Sequence, residues 1–138
     1  MAALVLDCSM TLAWILEDER PELVMNVLDR VVEEGALAPT LWPLEVGNAL
    51  LVAERRGRLS AGNRIQALRD LAELSIALDD ETAGRSWHET MRLAETLNLT
   101  LYDAAYLELA LRRGLALATL DKALCEAAGR VGVFVFAA

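Results

Sequence analysis

The 138-residue sequence has few of the residues that histidine-rich metal sites, disulfide scaffolds and aromatic cores require. It contains one histidine, two cysteines, three tryptophans, two tyrosines and two phenylalanines. Two cysteines are too few for a disulfide scaffold or a thiolate zinc site. A single histidine, His88, excludes histidine-rich metal sites and weakens any Ser/His/Asp triad, because nothing near it resembles a nucleophile elbow. Alanine, leucine and valine must therefore fill the core.

Basic residues and long apolar runs are also scarce. Lysine and arginine number 13 against 21 acidic residues, which gives a net charge of −8 and argues against coating nucleic acid by bulk attraction. An enzyme that meets RNA through a local patch and metal ions remains compatible with this charge. No apolar run approaches the roughly 20 residues that span a bilayer, so we predict no membrane segment. Met1 leads into a strand-like run without a basic leader, which with the cysteine usage predicts a cytoplasmic protein.

Alternating apolar patterns predict an α/β protein. The composition, 55% hydrophobic and 25% charged, is typical of a soluble globular chain. Short continuous apolar runs predict strands at residues 3–6, 36–38, 75–78, 115–119 and 133–136. Helical spacing predicts helices at residues 11–16, 21–34, 43–56, 61–73, 82–97, from 99 to Gly114, and 122–128. This order predicts a single domain over residues 1–138, with a mostly parallel sheet covered on both faces.

Four acidic residues stand at similar places in this pattern. Asp7 and Asp121 each follow a predicted strand, whereas Glu45 and Asp103 each lie near the start of a helix on an uncharged face. The carboxyl ends of parallel strands border the active crevice, so the four can converge there. Carboxylates about 4 Å apart repel by roughly 4 kcal/mol at an effective dielectric near 20, which protons or cations must relieve. Oxygen ligands without His or Cys favour Mg²⁺ or Mn²⁺, which can activate water for phosphodiester cleavage.

Asp103 is the least ordinary of the four. On a helical wheel it aligns with Leu107 and Ala110, while Glu108 and Arg112 lie on the opposite side and are expected to face water. A carboxylate on an apolar stripe is costly unless it is paired, bound to a cation or used as a cap. Asp103 could therefore be a plain helix cap, since Asp is favoured in first turns.

Four motifs carry a resemblance to a known family. They are Leu-Asp-Cys-Ser at 6–9, Glu45-x-x-Asn48, Leu-Thr-Leu-Tyr-Asp-Ala-Ala-Tyr-Leu at 99–107, and Thr119-x-Asp121-x-x-Leu124. In order and spacing they resemble the PIN domain, and within it VapC-type ribonuclease toxins. The resemblance implies a three-layer α/β/α sandwich around a short, mostly parallel sheet. It also implies a Mg²⁺- or Mn²⁺-dependent endoribonuclease, usually dimeric and inhibited by a VapB-type antitoxin encoded beside it.

The resemblance also implies roles for individual residues. Metal binding and catalysis fall on the four acids, Asp7, Glu45, Asp103 and Asp121. Positions that hold the acids or the metal-bound water fall on Ser9, Asn48 and Thr119. Plainer readings remain: Asp7 and Asp121 as helix caps, Ser9 and Thr119 as local backbone-bonding residues, and Asn48 as polar filler in the core.

Other features leave alternatives open. Tyr102 and Tyr106 are expected in the core, and the arginines at 55, 56 and 58 either end a helix or contact RNA or the antitoxin. Apolar residues on more than one side of a helix, as at Leu50 and Leu51, predict a homodimer and a groove for a partner helix. The competing functions are a nuclease of the same fold without an antitoxin, a non-catalytic interaction module, and an Asp-x-Asp phosphatase, against which Ser9 counts.

Overall fold

The strands and helices follow the predicted order closely. The structure, a computed structural model, describes residues 2–16 and 20–136. Its strands are β1 (Leu4–Leu6), β2 (Ala36–Pro39), β3 (Ile76–Asp79), β4 (Ala116–Ala118) and β5 (Val135–Phe136). Its helices are α1 (Cys8–Leu16), α2 (Glu22–Glu34), α3 (Trp42–Arg55), α4 (Ala61–Glu73), α5 (Thr82–Arg85), α6 (Glu89–Leu97), α7 (Leu101–Arg113) and α8 (Lys122–Arg130).

The five strands form one parallel sheet in the order β3-β2-β1-β4-β5. Val5 lies opposite Leu37 of β2 on one side and Leu117 of β4 on the other. The chain runs from β1 outwards through β2 to β3, and then returns to β4 on the other side of β1. The order of the strands therefore reverses between β1 and β4, which is where open parallel sheets form their binding crevice.

Helices cover both faces of this sheet. In one group of helices, α1 packs against α2 and α3, and α3 packs against α4. In the other, α7 packs against α6, α8 and the strands β1, β2 and β4. Right-handed crossovers place α1–α4 on one face and α5–α8 on the other. The expected α/β sandwich with a parallel sheet is confirmed. No helix in the described part of the chain is long and apolar enough to cross a membrane.

Helix α7 is more deeply buried than the helical wheel predicted. All seven residues from Ala104 to Ala110 are buried, and Glu108, expected to face water, is only 4% exposed. The sheet, α6 and α8 enclose the helix, so it has no broad solvent face. The Glu108 carboxylate is instead neutralised by Arg112, at 2.8 Å, and by Arg85, at 3.6 Å. The helical wheel places Glu108 on a charged side of α7, but ion pairs with these arginines allow its carboxylate to be buried without contact with water.

The predicted helix over residues 82–97 is two helices, α5 and α6. The hydroxyl of Ser86 donates to the carbonyl oxygen of Thr82 at 2.8 Å, and His88 has φ −120° and ψ −102°, which is not helical. Trp87 lies at this break, and its side chain is 82% exposed. Periodicity alone did not reveal the break, because the residues on either side keep nearly helical spacing.

Candidate metal centre

Asp7 is the most tightly held of the predicted site residues. It directly follows β1, is 4% exposed, and caps α1 by accepting a hydrogen bond from the Met10 amide at 2.9 Å. The Ser9 hydroxyl donates to its two carboxylate oxygens at 2.8 and 2.9 Å, and the Thr119 hydroxyl donates to Oδ2. Asp7 is therefore the cap of α1, and this role is compatible with a role in the metal centre.

Ser9 and Thr119 join the ends of β1 and β4. The Ser9 hydroxyl accepts a hydrogen bond from the Leu120 amide at 2.9 Å, and the Thr119 hydroxyl accepts one from the Asp121 amide at 3.0 Å. Each hydroxyl thus holds Asp7 while it fixes the backbone that leads to Asp121. Neither residue is confined to local backbone bonding, which was the plainer reading.

Asp121 and Asp103 both lie near the N-terminus of a helix, but only Asp121 is the N-cap of its helix. Asp121 caps α8, where its Oδ1 accepts from the Leu124 amide at 2.9 Å. In α7 the cap is Thr100, whose hydroxyl accepts from the amide of Asp103 at 3.1 Å. Asp103 lies in the first turn rather than at the capping position, which excludes the plainer reading of Asp103 as the helix cap.

Glu45 reaches the same region from the first turn of α3. It is half-buried, and its Oε1 accepts a hydrogen bond from the Tyr106 hydroxyl at 2.5 Å. Tyr106 is 2% exposed and lies on α7, three residues after Asp103. Tyr106 lies in the core as expected, but its contact with Glu45 was not predicted; its position one helical turn beyond Asp103 was the available signal.

The four carboxylates form a line of electrostatic neighbours, Glu45–Asp103–Asp121–Asp7. Burial raises the pKa of Asp7 to about 6, with the charge of Asp121 adding to it, against opposing hydrogen bonds. Burial and then the charge of Asp121 raise the pKa of Asp103. Burial also raises the pKa of Glu45; the hydrogen bond from Tyr106 opposes this, and the charge of Asp103 adds to it. Folding thus brings like charges together at a cost that a bound cation would relieve.

The two cysteines lie beside these acids and stay neutral. Burial, followed by the charges of Glu45 and Asp7, raises the pKa of Cys8 to about 12. Burial, Asp7 and Asp121 likewise raise the pKa of Cys125. Because the thiolate rather than the thiol binds metals, the centre offers oxygen ligands at neutral pH.

The donor set fits a hard divalent cation. Among residues 2–16 and 20–136, no lysine or arginine nitrogen lies within 4.0 Å of the four carboxylates, so no basic side chain neutralises them. Carboxylates without His or thiolate are ligands that Mg²⁺ and Mn²⁺ prefer. Three of these oxygens do not yet lie within 4.8 Å of one another in the described structure, so binding would draw the carboxylates closer.

Comparison with known proteins decides the family. The family model for the PIN domain matches residues 4–130, which includes all four acids. The chain belongs to the PIN domain family. It is also 33% identical over 123 residues to a protein named Ribonuclease VapC3 from Pyrobaculum aerophilum, covering 89% of this chain and 92% of that one. The resemblance inferred from the four motifs is confirmed.

Solved structures agree with this PIN domain assignment. PAE2754 from Pyrobaculum aerophilum superposes with a TM-score of 0.71 at 25% identity, covering 98% of this chain and 90% of that one. FitAcB from Neisseria gonorrhoeae superposes with a TM-score of 0.66 at 19% identity, covering 97% of this chain and 96% of that one, and that likeness concerns the fold alone.

A second acidic group lies away from the PIN domain centre. The carboxylates of Asp79, Asp80 and Glu81, at the end of β3, are the one set of three within 4.8 Å among the described residues. Arg112 already binds two of them: its guanidinium donates to both oxygens of Asp79, at 3.1 and 2.7 Å, and to Glu81 at 3.1 Å. The guanidinium of Arg112 thus already supplies positive charge to this acidic group.

Two predicted positions lie elsewhere than expected. Asn48, one turn after Glu45 on α3, is exposed, which excludes the reading as core filler, and no hydrogen bond joins it to the acids in the described structure. Tyr102, expected in the core, is 66% exposed. The residue next to it, Asp103, turns inwards, and consecutive helical residues point about 100° apart.

Proposed function

We propose that this protein is a Mg²⁺- or Mn²⁺-dependent endoribonuclease and the toxin of a VapBC-like toxin–antitoxin pair. The observation that carries the proposal is that Asp7, Glu45, Asp103 and Asp121 form a line of electrostatic neighbours where the strand order reverses. Membership of the PIN domain family and similarity to a protein named Ribonuclease VapC3 support it. We also propose that residues 1–138 act as one domain in the cytoplasm.

The proposed roles follow from the contacts. The four acids would hold the metal ion, which supplies charge neutralisation and an activated water for attack on a phosphodiester. Ser9 and Thr119 keep the Asp7 carboxylate in one orientation. The capping bond uses Oδ1 of Asp121 and leaves Oδ2 for the centre. In a chain of net charge −8, the bound cation would also give the RNA backbone a local point of attraction.

The arginines at 55, 56 and 58 are better assigned to the end of α3 than to this centre. All three are exposed, and Arg55 lies ten residues after Glu45 on the same helix. At 1.5 Å per residue that separation is about 15 Å. Basic side chains there complement the negative end of the helix dipole.

A cleft between α1, α2 and α4 is the proposed site for the antitoxin. It has a volume of about 490 Å³ and a mainly apolar lining that includes Trp14, Leu28, Val32 and Leu71, with four polar residues beside them, Arg20, Asn63, Gln66 and Asp70. Val32 is 62% exposed, which suits a surface that an apolar face of a partner helix covers. A gene for a small inhibitor directly upstream would distinguish this proposal from a PIN nuclease without an antitoxin.

We also propose a homodimer, although α3 has a smaller surplus of apolar surface than its sequence predicts. Leu50, one of the residues that suggested a surplus apolar side on α3, is fully buried in the core, whereas Leu51 is half-buried. Light scattering at tens of micromolar protein is expected to report twice the monomer mass. Monomer alone at that concentration would remove the dimer from the proposal.

The decisive experiment is cleavage of total cellular RNA with Mg²⁺, Mn²⁺ or EDTA, followed by mapping of the new ends. We expect discrete cleavage with either metal, no cleavage with EDTA, and no cleavage by an Asp121→Asn protein purified in parallel, which controls for contaminating nucleases. Metal binding without cleavage of any RNA would instead favour a non-catalytic module.

A further inference from the structure

The Glu45 side chain depends on a single described partner. Asp7 is held by three donors and Asp121 by the amide of Leu124, but the Glu45 carboxylate has one hydrogen bond from the described residues, that of the Tyr106 hydroxyl at 2.5 Å. A glutamate has more rotamer freedom to lose than an aspartate. One short bond therefore restricts the most flexible of the four acids.

The charges around Glu45 make this restraint necessary. Asp103 is its electrostatic neighbour, and the like charges favour rotation of the half-exposed Glu45 side chain towards solvent. Tyr106 opposes that rotation from a fully packed position, since its ring is buried in the core cluster on α7. The bond also joins α3 to α7, and so fixes Glu45 relative to Asp103.

We propose that Tyr106 is a positioning residue of the metal centre: its hydroxyl holds Oε1 of Glu45 and leaves Oε2 to act with Asp103 on the cation. The inference rests on the proposed metal-dependent function. The competing explanation is structural, because a buried tyrosine hydroxyl needs an acceptor and Glu45 supplies one. In that case the bond serves the stability of Tyr106 and not the position of Glu45.

The test is Mn²⁺ binding by calorimetry on the full chain, with Tyr106→Phe as the main variant. We expect Mn²⁺ affinity to fall roughly 10-fold, as is usual when a group that orients a metal ligand is removed. Excess Mn²⁺ is expected to restore RNA cleavage by this variant. The matched control is Tyr102→Phe, which removes the same atom from an exposed tyrosine on the same helix and should leave Mn²⁺ affinity unchanged.

A double-mutant cycle separates positioning from stability. Glu45→Gln alone should weaken Mn²⁺ binding, and adding Tyr106→Phe to it should cause no further loss, because the tyrosine acts through the carboxylate. An equal further loss in that background would overturn the proposal. So would wild-type Mn²⁺ affinity, within twofold, in a folded Tyr106→Phe protein.

A second variant removes the same hydrogen bond by changing its acceptor, and it is used if Tyr106→Phe does not fold. Glu45→Asp keeps the charge but is one methylene shorter and cannot reach the Tyr106 hydroxyl. We expect it to lose Mn²⁺ affinity as Tyr106→Phe does, and unchanged affinity would overturn the proposal. If the wild-type protein itself neither binds Mn²⁺ nor cleaves RNA, the proposed function fails and this inference fails with it.

Discussion

Replacing Asp103 with Asn is expected to abolish the rise in Tm that Mg²⁺ causes. Without metal, the variant is expected to be as stable as the wild-type protein or more stable. The substitution keeps the volume of the side chain and removes one charge beside Asp121. Thr100, not Asp103, caps α7, so the cap remains. The helix dipole favours a negative charge in the first turn by about 0.3–1 kcal/mol. The raised pKa of Asp103 indicates that burial and the charge of Asp121 outweigh this gain.

The size of each effect follows from these contacts. Because Asp103 is only half-buried and its repulsion is screened, we expect the metal-free variant to gain no more than about 1 kcal/mol. Mg²⁺ at ten times its dissociation constant should stabilise the wild-type protein by about 1.4 kcal/mol. For a chain of 138 residues this corresponds to a rise in Tm of about 5 °C. The variant should show little of this rise.

The assay is a thermal melt with EDTA and with Mg²⁺, together with RNA cleavage. Two controls accompany the variant. Asp29→Asn removes a charge from an exposed site on α2 and should change neither measurement. Ser60→Ala removes the cap of α4, whose hydroxyl accepts from Asn63, and should lower Tm by the equivalent of about 1 kcal/mol with the Mg²⁺ response intact. An Asp103→Asn protein that is less stable than wild type and yet fully active would refute the reasoning.

Two further predictions concern pH and the buried ion pairs. Because the pKa of Asp7 is raised to about 6, the folded metal-free protein binds its proton more tightly than the unfolded chain, so its stability should fall as pH rises from about 4 to 6. Protons then compete with Mg²⁺, and the Mg²⁺-induced rise in Tm should shrink as pH falls below about 6; equal rises at pH 5 and 7 would contradict this. Arg112→Ala leaves buried Asp79 without its arginine and buried Glu108 with only the longer contact to Arg85, and should cost about 3–5 kcal/mol in chemical denaturation. Arg92→Ala, at an exposed pair, should cost under about 1 kcal/mol, and similar losses for the two would argue against a buried network.

Much of the local structure was predictable because its signals lie in neighbouring residues. Gly35 and Gly114 end α2 and α7 with φ of 79° and 63°, in agreement with the predicted helix ends at residue 34 and Gly114. Continuous apolar runs marked β1 and β4, which are buried on both faces of the sheet. Asp7 and Asp121 could be placed at the strand ends because each directly follows or nearly follows such a run.

Errors arose where burial depended on distant segments. Glu108 was assigned to the wrong environment because a helical wheel assumes one buried and one exposed face. Whether both faces of α7 are covered is decided by α6, α8 and the sheet, which local periodicity does not report.

The sequence by itself determined which acids are available and which strand or helix carries each one. Only the tertiary structure decided how they meet: Thr119 reaches Asp7 across 112 positions, and Tyr106 reaches Glu45 across 61. Capping and hydrophobic periodicity act between residues within about one helical turn, so the sequence reveals them. Contacts across β1 and β4, or between α3 and α7, form only when the whole sheet has assembled, and their partners are set by packing that no short stretch of sequence encodes.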